Sequence, residues 1–436
     1  MRRILIAASL FAPILAAAGI RENGARIFTT ANPAGAVEWR AAAGPADPLP
    51  LDDAGETPEV SGLTVHEWGT FTSVAGPDGM AIQWLPAGGP TDLPCFVHVS
   101  GAGLKGWPDA EKAGRSSRAR IRMETPVLYF YAPRQETVQV KVSFPRGLMT
   151  EWYPASSAGP VSQRQAQQAF PNVAGAIEWK NVLVMPGAKE NFLMEAGPSH
   201  YYAARRTDSA PVRVGAETEK FLFYRGIADF TPPISVRSTS DGTLEIANLG
   251  QEAIPSVIVF ENRNGAMGYR MHRDLKDRAT LEAPMLSSDF ASLQRDLEAL
   301  LREQGMYPLE ARAMVDTWKD TWFEQGTRVF YIVPPATVDA LLPLDITPKP
   351  VQVARAFVGR VEVVTPATIE DVRTAVQQND RVMLEIYGRF LEPILNRMPA
   401  PMLSEAERAR AMSLLQSIRA GYVAAVTACS RKQHSW

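Results

Sequence analysis

Cysteine is scarce in this chain: only Cys95 and Cys429 occur in 436 residues. Two thiols cannot form a zinc site built from several cysteines, and their separation excludes a CxxC redox motif. In an oxidising compartment an even pair favours one long-range disulfide, and two unrelated thiols are the alternative. The sequence carries no geometry that decides between these two interpretations.

A surplus of charge is also absent. Lys and Arg total 45, Asp and Glu total 47, and the formal net charge is −2. A near-neutral chain without a basic patch predicts no nucleic-acid partner. The familiar catalytic motifs are missing too: there is no G-x-S-x-G elbow, no phosphate-binding glycine loop and no HExxH.

Long apolar runs are missing except at the start of the chain. Arg2 and Arg3 precede the run ILIAASLFAPILAAA, which ends in an Ala16-x-Ala18 pattern. A charged, then apolar, then small-residue order predicts a signal peptide over residues 1–18. We therefore expect a periplasmic or secreted protein. The run is too short, and interrupted by Pro13, to predict a membrane span, so we expect none in the mature chain.

The rest of the chain divides by composition. Residues 19–61 are rich in Ala, Gly, Pro and acidic residues and predict a flexible linker. Residues 62–284 contain many short strand-like segments separated by turn signals, which predicts a β-sandwich-like antiparallel region. Residues 285–436 alternate helical and strand patterns and predict an α+β region with several helices. The fold class expected for the whole chain is α+β.

Two strand-like segments illustrate the β-rich pattern. VLYFYA (127–132) and TVQVKVSF (137–144) are separated by four residues that include Pro133, and this spacing predicts a hairpin. In the second segment, apolar and polar residues alternate, which predicts a strand buried on one face. Helix signals follow in the later region. Leu residues at helical spacing after residue 287 predict one helix, and Thr365-Pro366 predicts the start of another that ends at Gln378. A further helix is predicted over 380–398, interrupted at Pro393, and a capping box of Ser404 and Glu407 predicts the start of the last one.

The run VHEWGTFTSVAGPDG carries the first candidate site residues. His66 and Glu67 are neighbours, so on a strand their side chains point to opposite faces. Gly69 predicts a bulge or a close approach at that point. His66 is a candidate for catalysis or metal binding, and a buried core histidine is the structural alternative. RMETPVLYFY adds Arg122 and Glu124 on one side of a strand, where they can grip a polar ligand or form an ion pair.

The same region offers residues for two kinds of hydrolase site. In the first, His66, His98 and His200, with Glu67 or Glu124, bind a divalent metal, although no two of them have metal-ligand spacing. In the second, the carboxylates of Glu67, Glu124 and Glu151 act as acid and base on a carbohydrate. Five tryptophans of this region could stack on sugar rings, although most buried tryptophans are core residues: Trp68, Trp84, Trp107, Trp152 and Trp179.

Several runs resemble segments of a family of uncharacterised exported bacterial proteins with a VHEWGTF motif. They are VHEWGTFTSVAG, RMETPVLYFY, EKFLFYRG, EQGTRVFYIVPP and FVGRVEVVTP. The resemblance covers most of the chain after residue 61. It implies that the β-rich and helical regions belong to one recurring unit, and it implies no activity and no catalytic residues.

Taken together, these patterns favour an exported ligand-binding or envelope-associated protein that uses polar residues around His66, Arg122 and Glu124. The alternative is a secreted hydrolase, metal-dependent or carboxylate-based, centred on the same residues. Convergence of His66, Glu67, Arg122, Glu124 and His200 in one cleft would favour the enzyme. Scattered or mutually paired side chains would favour the binding protein.

Overall fold

A nine-stranded sheet forms the centre of the fold, and it combines strands from both halves of the sequence. The computed structural model describes residues 59–85, 93–99, 119–157, 174–196 and 199–433, and within them the side chains of 320, 419 and 421–433 are not described. The predicted signal peptide and nearly all of the predicted linker lie outside these ranges.

The strands of the described residues follow in chain order. They are β1 (Thr64–Val74), β2 (His98–Val99), β3 (Ile121–Tyr131), β4 (Glu136–Phe144), β5 (Gly147–Tyr153), β6 (Gly175–Val184), β7 (Val212–Val214), β8 (Glu217–Glu219), β9 (Leu222–Ala228), β10 (Ile234–Ser238), β11 (Leu244–Asn248), β12 (Ile254–Arg263), β13 (Ala266–Leu275), β14 (Arg278–Leu281), β15 (Gly326–Ile332), β16 (Leu344–Thr347) and β17 (Gln352–Val363). The central sheet has the order β13-β12-β15-β17-β1-β3-β9-β5-β2. Two smaller sheets have the orders β10-β11-β14 and β16-β4-β6-β7-β8.

Helices lie mostly in the last third of the chain. They are α1 (Phe290–Glu303), α2 (Pro308–Trp322), α3 (Pro335–Leu341), α4 (Pro366–Gln378), α5 (Arg381–Ile386), α6 (Leu391–Arg397) and α7 (Glu405–Gln433). Short 3-10 turns occur at His200–Arg205, Gly388–Phe390 and Ala400–Met402. Among the described residues, no helix is both long enough and apolar enough to cross a membrane.

The central sheet is buried on both faces. On one face its side chains pack against the valines of β4 and the inner residues of the two smaller sheets. On the other face they pack against α1 and α2 in one cluster and against α4, α6 and α7 in another. Every residue of β1 and of β3 is buried, which agrees with their central positions in the sheet order. The protein is therefore an α+β fold with a large, mostly antiparallel sheet region.

The prediction of a hairpin over residues 127–144 is wrong. β3 pairs with β1 and β9 in the central sheet, whereas β4 pairs with β6 and β16 in another sheet. Both edges of β3 are occupied by other strands, so the chain leaves the sheet after Tyr131 and returns in the facing layer. The alternation predicted for β4 is confirmed: Val138, Val140 and Val142 are fully buried and the residues between them are exposed.

Local helix signals were accurate where a cap is present. Thr365 accepts a hydrogen bond from the backbone of Thr368 at the start of α4, which ends at Gln378 as predicted. Ser404 and Glu407 form the predicted capping box of α7. The single helix predicted over residues 380–398 is wrong. It breaks at Gly388, whose φ of 44° is left-handed, and not at Pro393, which lies in the first turn of α6.

The two regions that the sequence composition separates at residue 284 both contribute strands to the central sheet. β15 and β17 come from the later region and lie between β12 and β1 of the earlier one. β17 runs parallel to β1 along the whole length of β1, and the described residues belong to one compact unit.

Candidate functional site

His66 and Glu67 point to opposite faces of β1, as their adjacency predicts. His66 is fully buried on the helix-covered face, and its Nδ1 atom lies 2.8 Å from a carboxylate oxygen of Glu310 in α2. Glu310 also accepts hydrogen bonds from the hydroxyl of Tyr131 and the backbone of Tyr307, both at 2.8 Å. His66 is thus a core histidine bound to a side chain of the helix that covers it.

Glu67 is fully buried on the other face of the central sheet, where side chains from β9 and β17 contact it. It accepts hydrogen bonds from the hydroxyl of Tyr224 and from Nε of Arg355, the latter at 2.6 Å. Arg355 also donates to Asp339 at 2.8 Å, near the surface. Burial and the charge of Glu67 raise the pKa of Tyr224 well above its usual range, so this hydroxyl stays a donor.

The three histidines named as metal candidates lie on three different elements of the fold. His98 in β2 contacts Glu217 at 2.8 Å, and His200 begins a 3-10 turn. Within the described residues, no group of three or more His, Cys, Asp or Glu side chains is placed to hold a metal ion. Cys95 is disulfide-bonded, and the side chain of Cys429 in α7 is outside the described ones, so their pairing stays a prediction.

A row of charged side chains crosses the helix-covered face of the central sheet. Its arginines lie on four strands of the sheet and on the turn that breaks the helix after α5: Arg328, Arg360, Arg122, Arg225 and Arg389. We call these five residues the arginine strip. In the strand register Thr72 of β1 lies between Arg360 of β17 and Arg122 of β3, so the strip continues from one strand to the next.

One half of the strip caps a helix. Arg328 donates to the backbone carbonyls of Glu324 and Gln325, and Arg360 donates to that of Thr321 at 2.7 Å. The Thr321 carbonyl lies in the last turn of α2, where the helix leaves it without an internal partner, and Glu324 and Gln325 follow just after the end of the helix. Glu362 lies between the two arginines, 2.9 Å from Nε of Arg328. This half of the strip therefore has a structural role.

The other half of the strip lies near Glu124. Glu124 accepts hydrogen bonds from the hydroxyl of Thr72 at 2.7 Å and from Arg389 at 2.5 Å. Arg225 lies close enough to influence Glu124 electrostatically. The Glu124 side chain keeps 11% of its surface exposed, whereas those of Arg360 and Glu362 keep at most 1%. The strip is thus more open to solvent at Glu124 and Arg225 than at Arg360 and Glu362, and we call Glu124, Arg122, Arg225 and Arg389 the Glu124 site.

Two stacked aromatic rings lie beside the arginines. Trp84 and Phe390 stack with ring centroids 5.2 Å apart. The guanidinium of Arg122 lies 5.2 Å from the Trp84 ring, and that of Arg389 lies 5.2 Å from the Phe390 ring. Arg360 lies 4.9 Å from the same Phe390 ring. A planar guanidinium group that is held against an aromatic ring keeps its N–H donors in a fixed orientation. Guanidinium groups with fixed donors are suited to binding carboxylates and phosphates.

The charged groups of the strip shift one another's pKa values. Burial alone would raise the pKa of Glu124, but Arg389, Arg360 and Arg225 together with Thr72 hold that pKa below its usual range. Burial, and then the charges of Arg389 and Arg328, lower the pKa of Arg360 to about 9. The lowered pKa of Arg360 thus reflects chiefly the burial of its charge, and the carboxylates of Glu324 and Glu362 oppose the shift.

The residues named for a hydrolase do not form one constellation. His66 and Thr72 are six residues apart on β1, so His66 and the Glu124 site are separated by about 20 Å along the strand. Glu67 lies on the opposite face. Glu151 in β5 faces Arg225 in β9. Trp68, Trp84 and Trp179 are buried, so their rings offer no exposed platform for a sugar, and Trp107 lies outside the described residues.

Three arginines of the strip were missed by the sequence analysis: Arg328, Arg360 and Arg389. The signal that could have found Arg360 is the run FVGRVEVV, where charged residues share one face of a strand otherwise made of apolar residues. Arg389 follows Gly388, the glycine that breaks the helix, and this position carries no motif.

Comparisons with known proteins add little. No family model and no curated protein matches this chain. Among solved structures, the yeast delta-COP-I mu-homology domain is similar over 70% of this chain and 97% of that chain, with 8% identity and a TM-score of 0.26. The same domain in complex with a Dsl1 WxWxV peptide gives 8% identity and a TM-score of 0.25 over the same shares. A likeness this weak carries no argument about function.

Proposed function

We propose that this chain is an exported protein, periplasmic or secreted, that binds a ligand at the Glu124 site and does not catalyse a reaction. The single observation that carries the proposal is the convergence of Arg389 and Arg225 on Glu124, with Arg122 opposite Thr72 on the same face of the sheet. Two sheet strands and a turn far away in the sequence contribute these three arginines.

The cost of burying these groups supports a functional role. Moving charged groups out of water costs several kcal/mol for each ion, and an apolar cluster would fill the same space at no such cost. The arginines that cap α2 have a structural reason to be buried. At the Glu124 site the arginines hold the pKa of Glu124 below its usual range, and charged groups with a perturbed pKa are frequent at functional sites.

Geometry gives the hydrolase alternative less support. Acid–base catalysis needs its carboxylates on one side of a reacting bond. Glu67 lies on the opposite face from Glu124, and Arg225 faces Glu151. His66, the other candidate, is fully buried and bound to Glu310.

A ligand screen tests the binding proposal. The full chain without its signal peptide is screened by thermal unfolding against a library of charged and neutral small molecules. We expect at least one compound to raise the unfolding temperature of the wild-type protein, and the effect to be lost in Arg389→Gln. Compounds that stabilise both proteins equally, or no stabilising compound at all, would contradict the proposal.

Export is tested separately. The precursor is expressed in a bacterium and the N-terminus of the protein in the periplasmic or culture fraction is determined. The proposal predicts cleavage after Ala18. A protein that keeps Met1 and stays in the cytoplasmic fraction would overturn the proposed compartment.

A further inference from the structure

We infer that the ligand of the Glu124 site carries an anionic group, a carboxylate or a phosphate, and that Glu124 occupies the place of this group when the ligand is absent. The inference rests on the proposed binding function and adds the chemical class of the ligand. Acidic carbohydrates are among the molecules that carry such a group.

The donors of the site fit this class of ligand. Arg389 contacts a Glu124 oxygen at 2.5 Å, and the Thr72 hydroxyl contacts the other oxygen at 2.7 Å. A guanidinium and a hydroxyl aimed at two oxygens of one carboxylate are also suited to two oxygens of a phosphate. The protein therefore already displays, with its own side chain, how an anion is held at this place.

The position of Glu124 allows the exchange. Its side chain lies at the more exposed end of the strip, and Arg225 beside it is only half-buried. A carboxylate at this end can turn toward water while a ligand anion takes its place between the arginines. Glu362, at the closed end of the strip, has almost no exposed surface and cannot do the same.

Electrostatics favours an anion at the site over a neutral group. Arg360 lies in the same strip, and burial, followed by the positive charges of Arg389 and Arg328, makes its own charge less favourable. When Glu124 turns away, a ligand anion restores the negative charge between the arginines, whereas a neutral ligand leaves their repulsion without that compensation. Arginine forks also bind carboxylate and phosphate in a bidentate manner that lysine cannot reproduce.

Titration calorimetry tests the inference with two probes, inorganic phosphate and succinate, at constant ionic strength set with sodium chloride. We expect the wild-type chain to bind at least one of them, which also distinguishes the two anion chemistries. Glu124→Gln removes the competing charge and keeps the shape, so it should bind about tenfold more tightly, a change of about 1.4 kcal/mol. Arg122→Lys keeps the charge without the fork and should bind about tenfold more weakly.

The matched control is Glu245→Gln. Glu245 pairs with Arg237 on the small three-stranded sheet, and both side chains are about half exposed. This variant should bind the probes as the wild type does. Circular dichroism confirms folding, and if Glu124→Gln does not fold, Arg122→Lys against wild type carries the test.

Three results would overturn the inference: no binding of either probe to wild-type protein, binding that is unchanged by Arg122→Lys, or weaker binding to a folded Glu124→Gln. A neutral compound from the library that binds in an Arg389-dependent manner, together with no binding of the two probes, would leave the binding function standing and refute the anionic ligand.

Discussion

Arg389 and Glu124 form an ion pair across 265 positions of sequence, between the turn that follows α5 and the buried strand β3. The pair joins the C-terminal helices to the central sheet at the same place where the other arginines converge. The helical region is thus attached to the sheet by charge as well as by apolar packing.

Loss of this pair should destabilise the whole fold. Arg389→Gln leaves Glu124 charged and largely buried, and breaking a buried pair in this way costs about 3–5 kcal/mol. Urea unfolding followed by circular dichroism measures the change in the free energy of unfolding. Arg237→Gln, which breaks the exposed pair with Glu245, is the control and should leave stability unchanged within error. Equal effects of the two substitutions would contradict the structure of the strip.

The two buried glutamates should respond to pH in opposite directions. The pKa of Glu124 is lowered in the folded protein, so its contribution to stability is complete above the ordinary glutamate pKa of 4.5 and is lost as the pH falls through the folded pKa. The pKa of Glu362 is raised, chiefly by burial, so its charged form costs stability above that raised pKa, and protonation relieves the cost as the pH falls toward 4.5.

Unfolding free energies measured between about pH 3 and pH 8 check these two directions. Glu124→Gln should flatten the loss of stability below pH 4.5, and Glu362→Gln should flatten the gain that wild-type protein shows as the pH falls toward 4.5. Identical pH profiles for the two variants would show that the glutamates are not in the environments described.

Gly69 should not tolerate a side chain. The β1–β3 register shifts between Trp68 and Thr70, and a Cβ at Gly69 would lie 2.7 Å from the Phe357 ring and 3.0 Å from Pro126. Gly69→Ala should therefore cost about 1–3 kcal/mol through overpacking. Gly250→Ala is the control because its closest contact would be 3.3 Å, in an exposed turn. Thermal unfolding of both variants measures the difference, and an unchanged Gly69→Ala would contradict the close approach.

His66 should act as a structural residue. His66→Phe keeps an aromatic ring between Tyr131 and Tyr307 but removes the contact with Glu310, and the loss should be about 1–3 kcal/mol. His98→Phe, at a half-exposed pair with Glu217, should have a much smaller effect. Denaturation of both variants separates the two positions. A stable His66→Phe that loses ligand binding would instead place His66 in the site.

Local patterns predicted much of the secondary structure because caps and alternation act over a few residues. The buried valines of β4, the start of α4 at Thr365 and the capping box of Ser404 were all readable from sequence. The place of Gly69 beside a bulge was also predicted. Each of these features is decided by neighbours within the same element.

The arrangement of the sheet could not be read in the same way. β17 lies beside β1 although 288 positions separate Glu67 from its partner Arg355. A strand buried on both faces carries no alternation that would identify its neighbours, and non-local pairing is set by the packing of the whole molecule. Arg122 and Glu124 were found because they stand close together in one run, whereas Arg389 depends on a helix break at Gly388 that only the folded chain displays.

Hydrogen exchange with and without ligand tests the central claim most directly. A ligand found in the thermal screen is added to the wild-type chain, and protection of backbone amides is followed by mass spectrometry. Binding at the Glu124 site predicts added protection in β1, β3 and the Gly388–Phe390 turn. Protection confined to other elements, such as β13 or the region around His98, would contradict the claim that this protein binds its ligand between these arginines.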